Sequence, residues 1–482
     1  MAGFSSLEIA KRALSAQRYG LDVTSNNIAN VNTPGFARKQ VVMTETTPQP
    51  INQGFLGTGV VVDRIKTFRE EFHDREIRNT MSRQAAYSAD DRTLARIETA
   101  FGEPTEFGLD FSINKFFSSF ESLSNEPENM IRRQEVLNAA GTLAENFNNI
   151  GQNLQNLRRE TKNTITNSVD TVNQLLQNVA SLNREITISQ ITDPNSSSAL
   201  IDQRIQRLEE LSKLTNVTVN FDDKNIASIS IGGHNVVNDV RAVTLRSGEN
   251  VDALTGEVTA VISMLDAQGN PVGTIQPSGG ELSALLKHYN VTLDDRDSSS
   301  GYSAFRELNS IADTLVTRIN ALSVTGYGLD DSTAPPPARN FFTPAAPGES
   351  ITALTFNVSS DISGNARNIP MSAAPGEPGN NEIARRIARV GQDDNFLNGM
   401  NPAQSYGKLL TKVASIGQEA VNGIKTSDLV FTQLNAQRES VIGVNLDEEA
   451  MNLIRFQKGF EAAARVVNIT NELLGTLINL GR

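Results

Sequence analysis

Apolar residues recur every seven positions near the start of the chain, at Leu7, Leu14, Leu21 and Ile28. Ala10 and Val31 fall on the adjacent stripe, while Gln17 and Thr24 interrupt it, so the pattern predicts a helix with a narrow apolar seam. Ser5-Ser6-Leu7-Glu8 matches a capping box, with Ser5 as N-cap, Glu8 at N3, and Phe4 and Ile9 flanking as a hydrophobic staple. The helix then runs into SNNIANVNTPGFARK, where Asn26, Asn27, Asn30 and Asn32 fall within seven residues. Asparagine competes with a helix for its own backbone. Thr33-Pro34-Gly35-Phe36 then places Pro34 and Gly35 at the central positions of a type II turn.

The far end of the chain shows the same spacing. Leu446, Leu453, Phe460, Val467 and Leu474 repeat at seven, and Phe456, Ala463 and Leu477 fill a second stripe. Asn445 is placed as an N-cap, with Asp447, Glu448 and Glu449 favourable in the first turn. A lone amphipathic helix of about 30 residues is marginal in water. Two matching seams at opposite ends are therefore expected to pair with each other and with neighbouring molecules.

Between the seams the period changes several times. Residues 37–80 read as strand-like and turn-rich, and residues 111–123 set Phe111, Phe116, Phe117 and Phe120 near one helical face. A very long helical pattern covers 129–192, with Asp193-Pro194-Asn195-Ser196 as its stop, and a shorter helix follows over roughly 199–214. From about 215 the period becomes two, with turn signals at Asp222–Asn225, Gly232-Gly233 and Gly269-Asn270-Pro271. Helical spacing returns over 281–323, residues 326–380 are rich in Pro, Gly and Ser, and helices resume from about 382.

These segments predict a mainly α chain with a β insertion, an elongated and nested α+β fold. A terminal helical coiled-coil domain is expected from 1–36 plus 445–482. An inner, mainly helical domain is expected from 37–214 plus 281–330 plus 382–444. Residues 215–280 form an antiparallel β insertion at the pole opposite the termini, and 331–381 an extended Pro/Gly-rich segment.

Composition narrows the function classes. Of 482 residues 38% are hydrophobic, and the 55 acids against 43 bases give a net charge of −12. That balance opposes a general binder of nucleic-acid backbones. The chain has no cysteine, hence no disulfide, thiol nucleophile or thiolate metal site. No apolar run approaches the ~18 residues of a membrane span. Lys11, Arg12 and Arg18 are not followed by the apolar core of a secretory signal. His73, His234 and His288 show no metal-ligand spacing. The acids at 294–297 fail as a calcium loop, since Ser300 and Arg306 stand where Gly and Glu belong. Gly54–Gly59 is neither a P-loop nor a dinucleotide fingerprint. No catalytic, metal or cofactor residue is expected, and no enzyme.

At this point the termini carry a resemblance. SNNIANVNTPGFARKQV is similar to the N-terminal motif shared by axial proteins of the bacterial flagellum. SVIGVNLDEEAMNLIRFQKGFEAAARVVNITNELLGTLINL resembles the C-terminus of the FlgK family, the first hook-associated proteins, although Phe460 stands where that family often has Tyr. GFLGTGVVVDRIKTFREEFHDREIR, ESLSNEPENMIRRQEVLNAAGTLAENFN, ALIDQRIQRLEELSKLTNVTV and GGELSALLKHYNVTLDDRD resemble interior segments of the same family. Hook and rod proteins are the alternative.

The resemblance implies a non-enzymatic, secreted building block of the hook–filament junction, needed for flagellum assembly and motility. It implies type III export without a cleaved signal peptide and a place in the extracellular flagellum. Its partners would be copies of itself in a ring-like collar, hook protein, the second junction protein, the export apparatus and an export chaperone holding the C-terminal helix. No nucleic acid and no membrane insertion is implied. Leu7, Leu14, Leu21 and Ile28 are expected to pair with Leu453, Phe460, Val467 and Leu474. The amides of Asn26, Asn27, Asn30 and Asn32 are expected to bond to backbone and polar groups of neighbouring subunits. Pro34-Gly35 would turn the chain outward.

Overall fold

The computed structural model describes residues 2–33, 35–51, 54–102, 108–192, 197–254, 256–296 and 301–480. The chain opens with α1 (Ala2–Ala29), followed by β1 (Lys39–Glu45), β2 (Gln49–Ile51), β3 (Gly54–Leu56) and β4 (Val60–Thr67). Four helices come next: α2 (Glu71–Phe101), α3 (Leu109–Asn125), α4 (Met130–Thr192) and α5 (Ser198–Leu214). Seven strands follow: β5 (Val217–Phe221), β6 (Ala227–Ile231), β7 (His234–Asn238), β8 (Arg241–Ala242), β9 (Thr244–Val251), β10 (Val258–Leu265) and β11 (Pro271–Ile275). Then come α6 (Gly280–Lys287), a π-helical turn at His288–Thr292, α7 (Ala304–Ser323), β12 (Phe342–Pro344) and β13 (Phe356–Val358). The chain ends with α8 (Ser360–Ser363), α9 (Glu382–Val390), α10 (Pro402–Ile442) and α11 (Leu446–Leu480). The α+β expectation stands, with long helices and small antiparallel sheets.

Two local expectations change. α1 begins at Ala2, so Ser5 lies inside the helix rather than capping it. The strand pattern of 37–80 stops at Thr67 and α2 starts at Glu71. α2 hides its period because half of its buried face is polar: Asp74, Arg78, Thr80, Ser82 and Thr93. The expected stop at 193–196 lies outside the described residues. Asn445 caps α11 as expected, its Oδ1 accepting from Asp447 N at 3.0 Å.

The chain divides into two compact units, cut differently from the four expected segments. The first comprises Met1–Arg83, Thr171–Thr244 and Ser427–Arg482, and the second Gln84–Asp170 and Leu245–Thr426. The strands of 215–280 form two sheets, β5-β6-β7-β8 and β11-β10-β9. The four-stranded sheet belongs to the unit that holds the termini, where two buried side chains hold it. Asn183 of α4 donates to Ala227 O and Asp239 O at 2.8 and 2.7 Å, and accepts from Ala227 N. Arg204 of α5 donates to Asn183 Oδ1, Asn225 O and Asn225 Oδ1, with Phe221 stacked against its guanidinium. Period-two spacing reveals strands but not their partners.

The second unit has an aromatic core. Phe116 and Phe120 of α3, Phe147 of α4, and Phe341, Phe342 and Phe356 of the Pro/Gly-rich segment are all buried, with Phe147 and Phe356 stacked at 4.8 Å. Phe111, expected on the same face as Phe116, is exposed. Amides secure the irregular backbone. Asn320 Oδ1 accepts from Phe341 N and Phe342 N at 2.9 and 3.0 Å, and its Nδ2 donates to Phe342 O at 2.8 Å. Asn309 Oδ1 accepts from Ala353 N, and Asn148 Nδ2 donates to Phe356 O. Segment 331–381 thus supplies core to this unit.

Candidate assembly surface at the paired chain ends

In the first unit α1 packs along α11, and α1 also rests on β1 and β4. The fully buried line of α1 is made of small and polar residues, Ala10, Ala16, Gly20, Thr24 and Asn27. Small residues let the helix backbones approach closely. A Cβ on Gly20 would stand 2.6 Å from Phe456 Cδ1, and one on Gly459 would stand 2.8 Å from Gln17 Cδ. Leu7, Leu14, Leu21 and Ile28 are each half-buried, flanking that line. On α11 the inward residues are Glu449, Ala463 and Thr470, buried, with Leu453, Phe456, Val467 and Leu474 half-buried. Leu446 is 51% exposed and Phe460 36%, more open than the half-buried residues of the same expected seam. The side chain of Leu477 lies outside the described residues.

The asparagine stretch separates into inner and outer members. Asn27 is fully buried. Its Nδ2 donates to Lys39 O at 2.8 Å and Glu449 Oε2 at 3.1 Å, and its Oδ1 accepts from Lys39 N at 3.1 Å. Asn27 therefore joins α1, β1 and α11 within one chain, where bonds to neighbouring subunits were expected. Asn30 Nδ2 donates to Asn26 O and its Oδ1 accepts from Thr33 Oγ1, finishing the helix locally. Asn26 and Asn32 are exposed. Pro34 lies outside the described residues. Gly35 has φ +77°, the left-handed value that a turn of this kind asks of glycine.

Charge extends the network around Asn27. Arg38 Nε donates to Glu449 Oε1 at 2.8 Å and its Nη2 to Glu448 Oε1 at 2.7 Å. Burial would release the Arg38 proton more readily, yet the two carboxylates outweigh it and hold Arg38 above its ordinary value. Beside it, Lys39 Nζ is 3.5 Å from Asp202 Oδ2, and Arg69 Nη2 is 3.1 Å from Asp202 Oδ1. Burial lifts the Asp202 carboxyl above the usual range despite both cations. Arg69 also donates to Gly35 O at 3.0 Å, fastening the turn after α1 to α5. Sequence spacing missed Glu449, Arg38 and Asp202, because each partner lies far along the chain. Gly20 and Gly459 did leave a signal, as glycines inside helical patterns mark close approach.

α11 keeps a second apolar stripe. Met451, Ile454, Val466, Ile469 and Leu473 are exposed, Met451 at 65%. A helix that is apolar on two sides and covered on one offers the other for contact. Among the described residues no group of three or more acids or histidines is placed to hold a metal. Among them no helix is long and apolar enough to cross a membrane.

Similarity to known proteins agrees with this geometry. Residues 7–36 match the family described as flagella basal body rod protein, and residues 440–480 that described as flagellar basal body rod FlgEFG protein C-terminal. The paired helices thus mark a class, the axial structural proteins of the bacterial flagellum. Residues 94–342, over half of the chain, match the flagellar hook-associated protein FlgK helical domain. The chain belongs to the FlgK family of flagellar hook-associated proteins. It is 26% identical to flagellar hook-associated protein 1 of Bacillus subtilis, over 99% of this chain and 98% of that one. It is 23% identical to flagellar hook-associated protein 1 of Salmonella typhimurium, over 99% and 100%. The structure of the flagellar hook junction protein FlgK from Burkholderia pseudomallei aligns with a TM-score of 0.61 at 14% identity, covering 76% of this chain and all of that one, a likeness of fold.

Proposed function

We propose that the chain is a subunit of the junction between hook and filament, and that it assembles in several copies through α1 and α11. The observation that carries this reading is the exposed apolar stripe of α11, on a helix whose other side is already packed against α1. Membership of the FlgK family supports the place in the flagellum. The partners would be further copies of the chain, the hook protein and the second junction protein. A chaperone would cover the same stripe before export through the type III apparatus, and the mature protein would stand outside the cell. Leu7, Leu14, Leu21 and Ile28, with Leu453, Phe456, Val467 and Leu474, would hold each α1–α11 pair. Leu446 and Phe460 would face other molecules. Asn26 and Asn32 would meet polar groups of the next subunit, while Asn27 keeps the register within one chain.

Electron microscopy of cells lacking the gene, with flagellin assayed in the medium, tests this. Complete hooks without filaments and flagellin lost to the medium are expected. Missing hooks would move the protein to the hook or rod, and normal filaments would refute the reading.

A further inference from the structure

Arginines of the second unit commonly hold an acid. Arg92 meets Glu281 at 3.0 Å, Arg132 meets Glu135 at 2.9 Å, Arg318 meets Asp393 at 3.1 Å and Arg339 meets Asp331 at 2.6 Å. α9 departs from this habit. Its sequence EIARRIARV buries Ile383, Ala384, Ile387 and Val390, and turns Arg385, Arg386 and Arg389 outward. Among the described residues none of the three has an ion pair or a side-chain hydrogen bond. Even Glu382, one turn before Arg386, forms no ion pair with it.

The helix is short but firmly seated. A Cβ on Gly391, at its C-terminus, would stand 2.6 Å from Phe117 Cγ. Asn381, at its N-terminus, donates to Ser124 O at 2.6 Å. Arg385 and Arg389 border a cleft of about 400 Å³ whose other walls include Glu121, Asn125, Asn381 and Gln392. Among the described residues lining it Glu121 is the one carboxylate, against the two arginines. Three like charges on adjacent turns repel, which costs the isolated fold stability. They gain when an anion arrives, and guanidinium forks match carboxylates in pairs.

We propose that the arginine face of α9 docks a carboxylate-rich surface of a second copy of this chain. The occupant follows from charge. Each copy has a net charge of −12, so copies standing side by side repel unless a positive spot on one meets acids on the next. This inference rests on the proposed reading that several copies assemble together. It adds a contact in the second unit, separate from the terminal helices.

The test uses flagella isolated from cells that make the chain with photoreactive p-benzoylphenylalanine in place of Gln392. Irradiation is expected to give a product of twice the chain mass, in which both peptides come from this chain and the acceptor contains Asp or Glu. In a second strain that also carries R385E/R386E/R389E, the yield is expected to fall at least about tenfold. These residues are exposed, so thermal melting should match the parent; if the reversed variant fails to fold, R385Q/R386Q/R389Q replaces it, with a smaller loss. A product with a different protein, no product although immunoblots find the chain in flagella, or an undiminished yield after charge reversal each overturns the inference. Absence of the chain from flagella would instead strike the functional reading beneath it.

Discussion

Asn27 Nδ2 lies 3.1 Å from Glu449 Oε2, joining residues 422 positions apart. Replacing Asn27 with Ala removes that bond and both bonds to the Lys39 backbone, in a buried site. Groups left unsatisfied cost about 1–3 kcal/mol each and overlap in effect, so Asn27→Ala should destabilise the helix pair by about 2–4 kcal/mol. Asn27→Asp, nearly isosteric, should be worse, since it sets a carboxylate against Glu449. Hydrogen exchange of the α1 and α11 amides measures both. Unchanged protection in Asn27→Ala would show that the network does not hold the ends together.

Gly20→Ala sets two effects against each other. Alanine favours a helix over glycine by about 1 kcal/mol. The new Cβ would meet the Phe456 ring at 2.6 Å, and overpacking costs about 1–3 kcal/mol. A net loss of about 1 kcal/mol is expected, and Phe456→Leu in the same chain should remove most of the penalty. A Gly20→Ala chain more stable than the parent in urea would contradict the close approach.

The exposed stripe of α11 separates assembly from folding. Met451→Glu with Ile469→Glu changes side chains that are 65% and 56% exposed, so the monomer should keep its stability to within about 0.5 kcal/mol. Incorporation into flagella should nevertheless be lost. Normal filaments from this variant would remove the stripe from the assembly surface.

Asn320 makes a similar prediction for the second unit. Asn320→Ala leaves Phe341 N, Phe342 N and Phe342 O without their shared partner. A loss of about 3 kcal/mol is expected, together with new protease cleavage near residues 339–345. A variant that melts like the parent and resists protease would show that the aromatic core alone holds this segment.

Acid should weaken the second unit through His288. This ring is buried on the π-helical turn, with Nδ1 3.2 Å from Thr292 Oγ1. Its Nε2 stands 2.9 Å from Asp90 Oδ1, off the in-line geometry of a hydrogen bond. Burial lowers the His288 pKa, and Asp90 only partly offsets it. The unfolded chain therefore binds the proton first. The contribution is complete above the ordinary histidine value of about 6.5 and is lost as pH falls through the lower folded value. Burial would raise the Asp90 pKa, but His288 and Lys287 pull it below the usual carboxylate range, so its contribution is lost at lower pH still. His288→Gln should flatten the fall in melting temperature below pH 6.5, and an unchanged slope would assign the effect elsewhere.

Long elements were legible because their apolar period persists. α4, α5 and α11 follow the expected helical spans closely, while the helical spacing of 281–323 resolves into α6, a π-helical turn and α7; the amide-rich stretch marked the end of α1. α2 was not legible, because Asp74, Arg78 and Thr93 take inward positions that a hydrophobic period reserves for apolar groups. The strands were visible but their division between two sheets was not, since alternation carries no address. The Pro/Gly-rich segment was read as extended, and because its phenylalanines follow no period nothing marked Phe341, Phe342 and Phe356 as the core residues they are. At the candidate surface, Leu14 and Leu21 pointed to the helix pair, while Gly20 and Gly459 are where no side chain would fit between the helices. Spacing locates an apolar stripe; how near two backbones come depends on residues with little to bury.

The pairing of α1 with α11 also sets an order of events. A ribosome makes α1 long before α11, so the earlier helix waits for its partner while every element between them is made. Loop closure over such a distance is only slightly more costly than over a shorter one, so the delay comes from sequence order. A chain broken off before Leu446 would leave α1 with β1 and β4 but without the Phe456 ring that covers Gly20. The helix pair can therefore close only after α11 has been made, late among the elements described.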